Sequence, residues 1–411
     1  MPAKLTELKG KKILIVGYGK EGRATKEFLE KSVPDAKIGI ADEKYDAAYL
    51  EKQDKYDLAI RTPGIRKELI TIPYTTATNL FFANVKGLTI GVTGTKGKST
   101  TASLIYAILK EAGYKAHLAG NIGNPLLSEI QKSNTKKDVF VCELSSYQLD
   151  DIEYSPHISV VINLYAEHMN YHGSIKKYWH AKSNIIAYAR AGDFLVYNPK
   201  LKNLVKLARS ARCKTIPLVA KLPFPERIIP LLGNHNKENV RAAVTVARIL
   251  KVPTKYTIAA IRKFKSLPHR LENVGKFKGI TFYDDAISTT PESTMQALEA
   301  IHNVDTLLLG GQNRGYNFKA LARIIKKKKI RNIVLFPNSG TAIAKAIKET
   351  KYKPIVLKTI DMEKAVRFAY RHSRPGSVCL LSTASPSYSI WKNFEKKGDL
   401  FKKCIRKLNR C

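Results

Sequence analysis

The chain has few acidic residues and few cysteines for its length of 411 residues. Asp and Glu number 34 against 71 Lys and Arg, which leaves a formal net charge of +37. The cysteines are odd in number and scattered, so they predict neither a disulfide framework nor a metal site. They are Cys142, Cys213, Cys379, Cys404 and Cys411. This cysteine usage indicates a cytoplasmic protein.

Long apolar runs are also missing from the sequence. The run at 158–162 has five residues, far below the ~20 that a membrane-spanning helix needs. Near the N-terminus an apolar run ends already at Gly17, which is too short for a signal peptide. We therefore expect no membrane insertion and a cytoplasmic location.

The excess of positive charge is open to three interpretations. Lysines occur along the whole chain, with a run at 326–329 and a dense basic cluster at 396–410. They could bind nucleic acid, steer polyanionic substrates, or form a solvated surface. The sequence has no zinc finger, recognition helix or basic motif interleaved with aromatic residues. We therefore expect no nucleic-acid partner.

Apolar strand-like segments alternate with helical patterns along the chain, which predicts an α/β fold with parallel sheets. A length of 411 residues suits two to four domains at ~100–200 residues each. We predict three units, which open with a strand at 11–17, with a strand at 88–92, and after residues 267–270. Within them the pattern predicts a helix over 23–30 and a strand over 157–164.

A glycine-rich loop stands between the strand at 88–92 and a helical pattern at 102–109. Backbone N–H groups of such a loop face nucleotide phosphates, while a lysine and a hydroxyl serve the phosphate charge and Mg²⁺. Val92 stands where the general phosphate-loop pattern has its first glycine, so the match is to a more compact form. Its residues are Gly94, Thr95, Lys96, Gly97, Lys98, Ser99 and Thr100.

A second glycine motif, G-x-G-x-x-G, follows the first predicted strand. It consists of Gly17, Gly19 and Gly22, and Asp42 lies about twenty residues further on, after another strand. By itself the motif fits a dinucleotide site, another phosphate site, or glycines needed only for packing. A turn at 62–64 follows the next predicted strand.

Taken in order and spacing, the motifs resemble those of the Mur ligases. Within that family they are most similar to the members that add D-glutamate to UDP-N-acetylmuramoyl-L-alanine. The phosphate loop and the segment E-L-S-S-Y-Q-L carry the resemblance most specifically. The matching segments are 93–100, 120–123, 143–149, 163–168, 181–182, 233–239, 269–272, 307–311 and 392–395.

The resemblance implies a three-domain α/β protein that uses ATP. We expect a Rossmann-like, UDP-binding N-terminal domain at 1–86, a central P-loop ATPase domain with a parallel sheet at 87–266, and a Rossmann-like, amino-acid-binding C-terminal domain at 267–411. The implied reaction is amide ligation through an acyl phosphate, in peptidoglycan precursor synthesis. Charge placement carries most of the catalysis in such phosphoryl transfers. The expected partners are the UDP-sugar–alanine substrate and D-glutamate, and the expected oligomeric state is a monomer.

The family's catalytic residues correspond to Lys98, Glu143, His168 and Lys182. In the family the lysine at position 182 is carbamylated by CO₂, which turns a cation into an oxygen ligand. Hard cations prefer such ligands. The resemblance therefore implies that Mg²⁺ is held by Ser99, Glu143, His168 and carbamylated Lys182.

The remaining implied contacts fall into three groups. ATP is expected on the phosphate loop 94–100, with Asn239 near adenine, Asp285 near ribose and Arg270 near phosphate. The UDP-substrate is expected on Gly17, Gly19, Gly22, Asp42, Thr62, Pro63, Gly64 and Asn121. The incoming glutamate is expected on Arg314, Ser387 and Phe394, since an arginine matches a carboxylate bidentately.

The chain departs from the family pattern at several positions. Lys96 replaces an asparagine, Thr62 replaces a serine, and residues 165–167 replace a more polar run. Ile287 stands where a lysine near the reacting phosphates is common, so this chain lacks one cation there. Either Arg314 or another basic residue compensates for it, or the reaction is slower.

Four alternatives stay open at this point. A sister ligase could add another amino acid, although the D-N-P-R signature of diaminopimelate addition is missing from 310–314. A folylpolyglutamate synthase shares the compact loop but not a UDP-type first domain. In different classes, residues 17–22 alone suggest an NAD-dependent dehydrogenase, and the charge alone suggests a nucleic-acid-binding protein. The stereochemistry of the glutamate does not follow from the sequence.

Overall fold

A computed structural model describes residues 3–165 and 169–409 of the chain. These residues form two compact units, the first within 1–229 and 235–264 and the second within 230–234 and 265–411. The first unit contains two of the described sheets, and the second contains one. The α/β class predicted from the sequence is confirmed.

The first sheet has four parallel strands in the order β2-β1-β3-β4. They are β1 (Lys12–Val16), β2 (Lys37–Ala41), β3 (Leu58–Arg61) and β4 (Tyr74–Thr76). The accompanying helices are α1 (Lys20–Ser32) and α2 (Ala77–Asn84). Ile13 and Ile15 join one apolar cluster, while Leu14 and Val16 join another. Both faces of β1 are therefore covered, as expected for a parallel sheet.

Helix α1 begins earlier than the sequence pattern indicates. It starts at Lys20, with Gly19 as N-cap, whereas the helix was expected from about Arg23. The difference arises because Gly22 lies inside the first turn, where its missing side chain lets the helix approach Gly17. A Cβ at Gly22 would lie 2.2 Å from the Gly17 carbonyl oxygen. The glycine motif thus spans the connection after β1, the N-cap and the first turn of the helix.

The second sheet has six parallel strands in the order β10-β9-β8-β5-β7-β6. They are β5 (Leu88–Thr93), β6 (Lys115–Gly120), β7 (Asp138–Glu143), β8 (Ile158–Val161), β9 (Phe194–Tyr197) and β10 (Lys214–Pro217). The helices are α3 (Lys98–Glu111), α4 (Leu126–Lys132), α5 (Ser146–Leu149), α6 (Met169–His172), α7 (Ile175–Ser183), α8 (Lys202–Arg209), α9 (Asn234–Ile249) and α10 (Thr254–Lys263). The chain leaves β5 and β8 toward opposite sides, which opens a crevice at their carboxyl ends.

Strand β8 is shorter than the apolar run at 157–164 predicts. It ends at Val161. Beyond it the backbone still bonds the neighbouring segment, since the Ile162 N–H donates to the Thr93 carbonyl and the Asn163 carbonyl accepts from the Thr95 N–H. The Asn163 side chain also bonds the Thr95 and Lys96 N–H groups, so these residues hold the phosphate loop and do not extend the strand.

The sheet of the second unit has the order β11-β12-β16-β13-β14-β15. Its strands are β11 (Glu272–Phe277), β12 (Ile280–Asp284), β13 (Val304–Gly311), β14 (Asn332–Asn338), β15 (Ile355–Lys358) and β16 (Val378–Leu381). The helices are α11 (Pro291–Ala300), α12 (Lys319–Lys327), α13 (Ser339–Glu349), α14 (Met362–His372) and α15 (Phe394–Asn409). Leu307 and Leu309 face one apolar cluster and Leu308 faces another, so helices cover both faces.

This third sheet is mixed, which corrects the expectation of parallel sheets throughout. Strands β11 and β12 pair antiparallel. Only Lys278 and Gly279 separate them, and both have positive φ, 48° and 80°. A two-residue connection with this backbone forms a hairpin, and a hairpin pairs its strands antiparallel. The Lys-Gly dipeptide gave little turn signal in the sequence.

The cysteine prediction agrees with the described residues. Cys142, Cys213, Cys379 and Cys404 are buried free thiols, and Cys411 lies outside the described part of the chain. Within residues 3–165 and 169–409, none of the helices combines the length and the apolar character that crossing a membrane requires.

Candidate functional site

The glycine-rich loop lies at the carboxyl end of β5, in the crevice beside β8. Gly94 and Gly97 have φ of 154° and 85°, conformations that favour glycine. A Cβ at Gly97 would lie 2.4 Å from the Asn239 side-chain oxygen. Helix α3 begins directly at Lys98, so its free N–H groups point toward the loop. The arrangement of strand, glycine-rich loop and helix that the sequence predicts is therefore present.

Asn163 fixes this loop, a role that the sequence motif did not reveal. Its Oδ1 accepts hydrogen bonds from the Thr95 and Lys96 backbone N–H groups, both at 2.9 Å. Its Nδ2 donates to the Lys96 carbonyl at 3.0 Å. Lys96 is exposed, and the bonds that Asn163 makes to it involve its backbone N–H and carbonyl. This explains how a lysine can stand where the family pattern has asparagine.

Three of the expected metal-site residues surround the end of β5. Glu143 ends the neighbouring strand β7, with its backbone paired to Val92, and is 1% exposed. Lys182, 2% exposed on α7, has its Nζ 3.4 Å from the Thr93 hydroxyl. Ser99 is buried in the first turn of α3. His168, the fourth expected ligand, lies outside the described residues.

The Glu143 carboxylate has one oxygen engaged and one available. Its Oε1 accepts from the Asn121 side chain at 3.0 Å. Its Oε2 is buried and has no hydrogen-bond partner in the part of the chain that the structure describes. A buried carboxylate oxygen without a partner is costly unless a cation or donor binds it. Asn121, expected at the UDP-substrate, thus orients Glu143 in this structure.

An aromatic group lines the Lys182 side chain. The Tyr178 ring centroid lies 5.1 Å from Lys182 Nζ, and the Tyr178 hydroxyl donates to Thr95 at 3.2 Å. His172 packs against Tyr178 with ring centroids 5.3 Å apart. Burial lowers the pKa of His172, so this imidazole is neutral at pH 7. Sequence reasoning missed both His172 and Tyr178, whose proximity depends on how α6 and α7 pack.

The expected UDP-binding residues of the first sheet form one group. Thr62 donates to the Val16 carbonyl at 2.9 Å, and a Cβ at Gly17 would lie 2.1 Å from the Thr62 hydroxyl oxygen. Asp42 accepts from the Tyr18 and Lys44 backbone N–H groups, which lower the pKa of its carboxyl. Gly19 and Gly64 have open space around them, and Pro63 is partly exposed.

Asn239 and Asp285, expected near adenine and ribose, are both held by protein groups. The Asn239 oxygen accepts from the Thr101 hydroxyl at 3.2 Å, and its amide donates to Asn236 at 2.9 Å. Asp285 accepts from Ser288 at 2.5 Å and from Ser382 at 2.8 Å. Burial raises the pKa of Asp285 to about 7, although these hydroxyls oppose the shift. Arg270 is half-buried just before β11.

The expected glutamate contacts lie on two loops that are bonded together. Arg314 is exposed after β13, and its Nε donates to Gln312 at 3.1 Å. Ser387 is 2% exposed after β16, and its hydroxyl has no partner among residues 3–165 and 169–409. The Gln312 N–H donates to the Pro386 carbonyl at 2.8 Å, which joins the loops. Phe394 begins α15 and packs edge-on against the His269 ring.

A cluster of one histidine and two carboxylates in the second unit resembles a metal site but is held together by an ion pair. His269, Glu272 and Asp284 bring ligand-type atoms within 4.8 Å of one another. Lys402 lies among them, with its Nζ 3.1 Å from Glu272 and 3.9 Å from Asp284. The His269 Nδ1 is 2.7 Å from Asp284. An ammonium already supplies the positive charge at this place.

Comparisons with known proteins agree with this geometry. The family model of the Mur ligase middle domain matches residues 92–222, and that of the Mur ligase, glutamate ligase domain matches residues 269–384. A UDP-N-acetylmuramoylalanine--D-glutamate ligase of Pelotomaculum thermopropionicum is 31% identical over 99% of this chain and 100% of its own length. The chain belongs to the Mur ligase family. Mur ligases are ATP-dependent ligases, which accounts for the phosphate loop.

Other Mur ligases extend the comparison. A UDP-N-acetylmuramoylalanine--D-glutamate ligase of Ligilactobacillus salivarius is 32% identical over 98% of both chains. A UDP-N-acetylmuramoyl-L-alanine--L-glutamate ligase of Salinispora tropica is 30% identical over 98% of this chain and 99% of its own. Since family membership now explains the glycine motif at 17–22, the dehydrogenase alternative has no separate support.

Solved structures confirm the fold. The Thermotoga maritima MurF ligase in complex with ADP aligns with a TM-score of 0.63 at 18% identity, over 99% of this chain and 98% of its own. The UDP-N-acetylmuramate-alanine ligase of the same organism aligns with a TM-score of 0.64 at 17% identity, over 97% and 100%. The predicted α/β fold of Mur ligase type is therefore correct.

Proposed function

We propose that this chain joins D-glutamate to UDP-N-acetylmuramoyl-L-alanine at the expense of ATP, in peptidoglycan precursor synthesis. The main support for the ATP-dependent step is the buried Glu143 Oε2, which has no hydrogen-bond partner within residues 3–165 and 169–409 and lies near the loop that leads into α3. Such a carboxylate beside a phosphate loop suits a metal–nucleotide complex. The substrate assignment is supported by relatives that carry this name along their full length.

The proposed reaction has two steps. A carboxylate oxygen of the alanine moiety attacks the γ-phosphorus, the bond to the bridging oxygen of ADP breaks, and an acyl phosphate forms. The glutamate amine then attacks the acyl carbon, loses a proton and expels inorganic phosphate. Lys98 and the N–H groups of the loop would stabilise the phosphate charge. Lys98 also donates to the Thr95 carbonyl at 3.1 Å, which places its side chain across the loop.

The residues present fit a magnesium site. Glu143 Oε2, the Ser99 hydroxyl, His168 and Lys182 as a carbamate would hold the ion. When bound, Mg²⁺ supplies positive charge that offsets the charge of the β- and γ-phosphates. Lys182 suits carbamylation because its buried amine lies beside the Thr93 hydroxyl, which can hydrogen-bond a carbamate oxygen.

The remaining contacts are proposed residue by residue. In the first unit, the loop 94–100 and Asn239 would bind ATP, while the UDP-substrate would lie on Gly17, Gly19, Gly22, Asp42, Thr62, Pro63, Gly64 and Asn121. In the second unit, Arg270 and Asp285 would contact ATP, and Arg314, Ser387 and Phe394 would bind glutamate. The unpartnered Ser387 hydroxyl supports the last group, since a ligand would satisfy it.

We also propose the three domains 1–86, 87–266 and 267–411, a cytoplasmic monomer, and no nucleic-acid partner. The sheets fall within 12–76, 88–217 and 272–381, which supports the domain boundaries. The free buried thiols support a reducing compartment. Gel filtration with light scattering, with and without added RNA, tests the monomer and the nucleic-acid statement. A dimer or a shifted RNA-bound peak would contradict them.

The amino acid is tested by supplying candidates singly. With ATP, Mg²⁺ and UDP-N-acetylmuramoyl-L-alanine, phosphate release and the product mass are measured for D-glutamate, L-glutamate, L-alanine and meso-diaminopimelate. We expect product with D-glutamate only. Product with L-glutamate would reassign the stereochemistry, in line with the Salinispora tropica relative. Product with one of the others would identify a sister ligase.

A further inference from the structure

Lys397 is a buried lysine that the proposed reaction does not use. It lies on α15 with 0% exposure, and Lys182 is the other buried lysine among the described residues. Its Nζ donates to the Thr383 hydroxyl at 2.6 Å, and the Trp391 ring centroid is 5.9 Å away. Lysines are seldom fully buried in proteins, and the other lysines of α15 are at least partly exposed. The buried position of Lys397 therefore indicates a specific role.

Burial of this ammonium is only partly compensated. Burial lowers the pKa of Lys397 to about 7, while the charges of Asp284 and Asp285 act in the opposite direction. Burying such a group lowers the stability of the fold unless hydrogen bonds and opposite charges compensate for the lost water, and Thr383 supplies the hydrogen bond here. The contacts of its partner, Thr383, show what is organised.

Thr383 connects three segments of the second unit. Its carbonyl accepts from the Gly310 N–H at 2.9 Å. Its hydroxyl is within donating distance of the Ser385 and Ser288 carbonyls, at 3.1 and 3.3 Å. A threonine hydroxyl has one proton to donate. Because Lys397 occupies an acceptor position of this hydroxyl, it directs that proton to the backbone of the neighbouring loop.

The segment that Thr383 begins carries Ser387 and is bonded to the loop that carries Arg314. The Pro386 carbonyl accepts from Gln312 at 2.8 Å, and a Cβ at Gly311 would lie 2.3 Å from the same oxygen. The Ser387 carbonyl accepts from Trp391 at 3.0 Å. A shift of Thr383 would therefore move both loops.

We propose that Lys397 is a positioning residue for the amino-acid site, which holds the Ser387 loop against the Arg314 loop through Thr383. The proposal rests on the proposed assignment of Arg314 and Ser387 to glutamate. Lys397 itself does not touch the substrate, since it is fully buried beneath the loop. An apolar side chain at this position could pack against Thr383 but could not orient its hydroxyl, because only a polar partner can do so.

The test compares Lys397→Met, which keeps the length of the side chain and removes the charge, with Lys396→Met on the exposed face of the same helix. KM for D-glutamate and for ATP are measured for each. We expect Lys397→Met to raise KM for glutamate ~10- to 100-fold, as a misplaced site does, and KM for ATP by less than about twofold. Lys396→Met should change neither. An unchanged KM for glutamate, or equal rises in both constants, would overturn the proposal.

Thr383→Val keeps the test informative if Lys397→Met does not fold, because the substitution preserves shape. By itself it should raise KM for glutamate ~10- to 100-fold and leave KM for ATP nearly unchanged, and an unchanged KM for glutamate would overturn the proposal. Where both single variants fold, the double variant should be no worse than the worse single variant. Additive effects of the two substitutions would contradict the proposed connection.

Hydrogen exchange separates this proposal from the proposed function. In Lys397→Met without substrates, backbone amides at 383–391 should exchange faster than in the wild type, with those of β14 unchanged. Unchanged exchange at 383–391 would overturn the positioning role. Failure of the wild type to ligate glutamate would instead overturn the proposed function.

Discussion

Arg61 and Asp151 form a buried ion pair between the first sheet and the segment that follows Glu143. The Arg61 Nη2 lies 2.6 Å from Asp151 Oδ2, with the two side chains 1% and 5% exposed. Arg61 also donates to the Ile65 carbonyl at 2.5 Å, which closes the turn containing Thr62. Asp151 follows α5, two residues after the E-L-S-S-Y-Q-L segment that begins with Glu143. One ion pair thus connects the proposed UDP turn with the proposed metal ligand.

Arg61→Met should destabilise the first unit by about 2–4 kcal/mol, because the buried Asp151 loses its shortest ion pair and keeps only the Tyr74 hydroxyl at 3.1 Å and the half-exposed Lys67 at 3.4 Å. The double variant Arg61→Met/Asp151→Leu should recover part of this loss, since it removes both charges. Urea unfolding measures both effects, with Lys55→Met on the surface as the control. A double variant that is less stable than the single variant would show that the pair itself stabilises the fold.

Lys98→Ala should lower kcat at least ~10²-fold while leaving the fold intact, because one preorganised charge at the phosphates is removed. Its matched control is Lys110→Ala at the exposed far end of α3. Phosphate release and circular dichroism are the measurements. A folded Lys98→Ala enzyme with near-normal turnover would refute the nucleotide site.

Lys182→Ala should lose at least ~10²-fold in activity, because a carbamate changes the charge from +1 to −1 and provides ligand oxygens. Lys182→Arg should be as poor, since a guanidinium stays protonated and cannot be carbamylated. Acetate should partly restore Lys182→Ala, and depletion of CO₂ should slow the wild type. Lys177→Ala, exposed on the same helix, serves as the control. If Lys182→Arg is active and its activity does not change when CO₂ is depleted, Lys182 is not a metal ligand.

Arg314→Ala should raise KM for glutamate roughly 10- to 150-fold, since a charge-assisted contact to a carboxylate contributes about 1.5–3 kcal/mol. KM for ATP should change much less. Arg323→Ala on the exposed face of α12 is the control. A loss of ATP affinity with glutamate affinity intact would reassign the residue. A fall in kcat alone would indicate that Arg314 replaces the cation missing at Ile287.

The stability of the first unit should depend on the protonation of Glu21. Burial raises the pKa of Glu21 to about 7, although the Gln148 hydrogen bond and the Arg61 charge oppose the shift. Between about pH 4.5 and pH 7 the folded state therefore binds a proton that the unfolded state has lost. Because of this difference, the free energy of unfolding falls as the pH rises through this range. Glu21→Gln should match the wild type at pH 5 and be more stable at pH 8. Urea unfolding at both values checks this, with exposed Glu27→Gln as the control; equal differences at both values would contradict it.

The sequence predicts the local features of this chain better than its distant contacts. The phosphate loop and the strand before it follow from patterns within about twenty residues, and the structure has a strand and a loop at these positions. The antiparallel β11 was missed because its turn, Lys278-Gly279, has no strong signature. The partners of Arg61 and Asn163 lie 90 and 68 residues away in the chain, so composition and spacing could not show that these polar groups are fixed by contacts. The partner of Lys397 is only 14 residues away, but the loop between them has no pattern that predicts the contact.

The central claim is that the chain forms an amide from a UDP-sugar–alanine carboxylate and glutamate through ATP. The most direct measurement follows ADP, inorganic phosphate and the mass of the sugar product in one reaction. We expect equal amounts of ADP, phosphate and a sugar product whose mass exceeds that of the UDP-substrate by one glutamate minus one water. No ADP should form when the UDP-substrate is omitted. ADP formation without the UDP-substrate, or a product that forms without ATP, would contradict it.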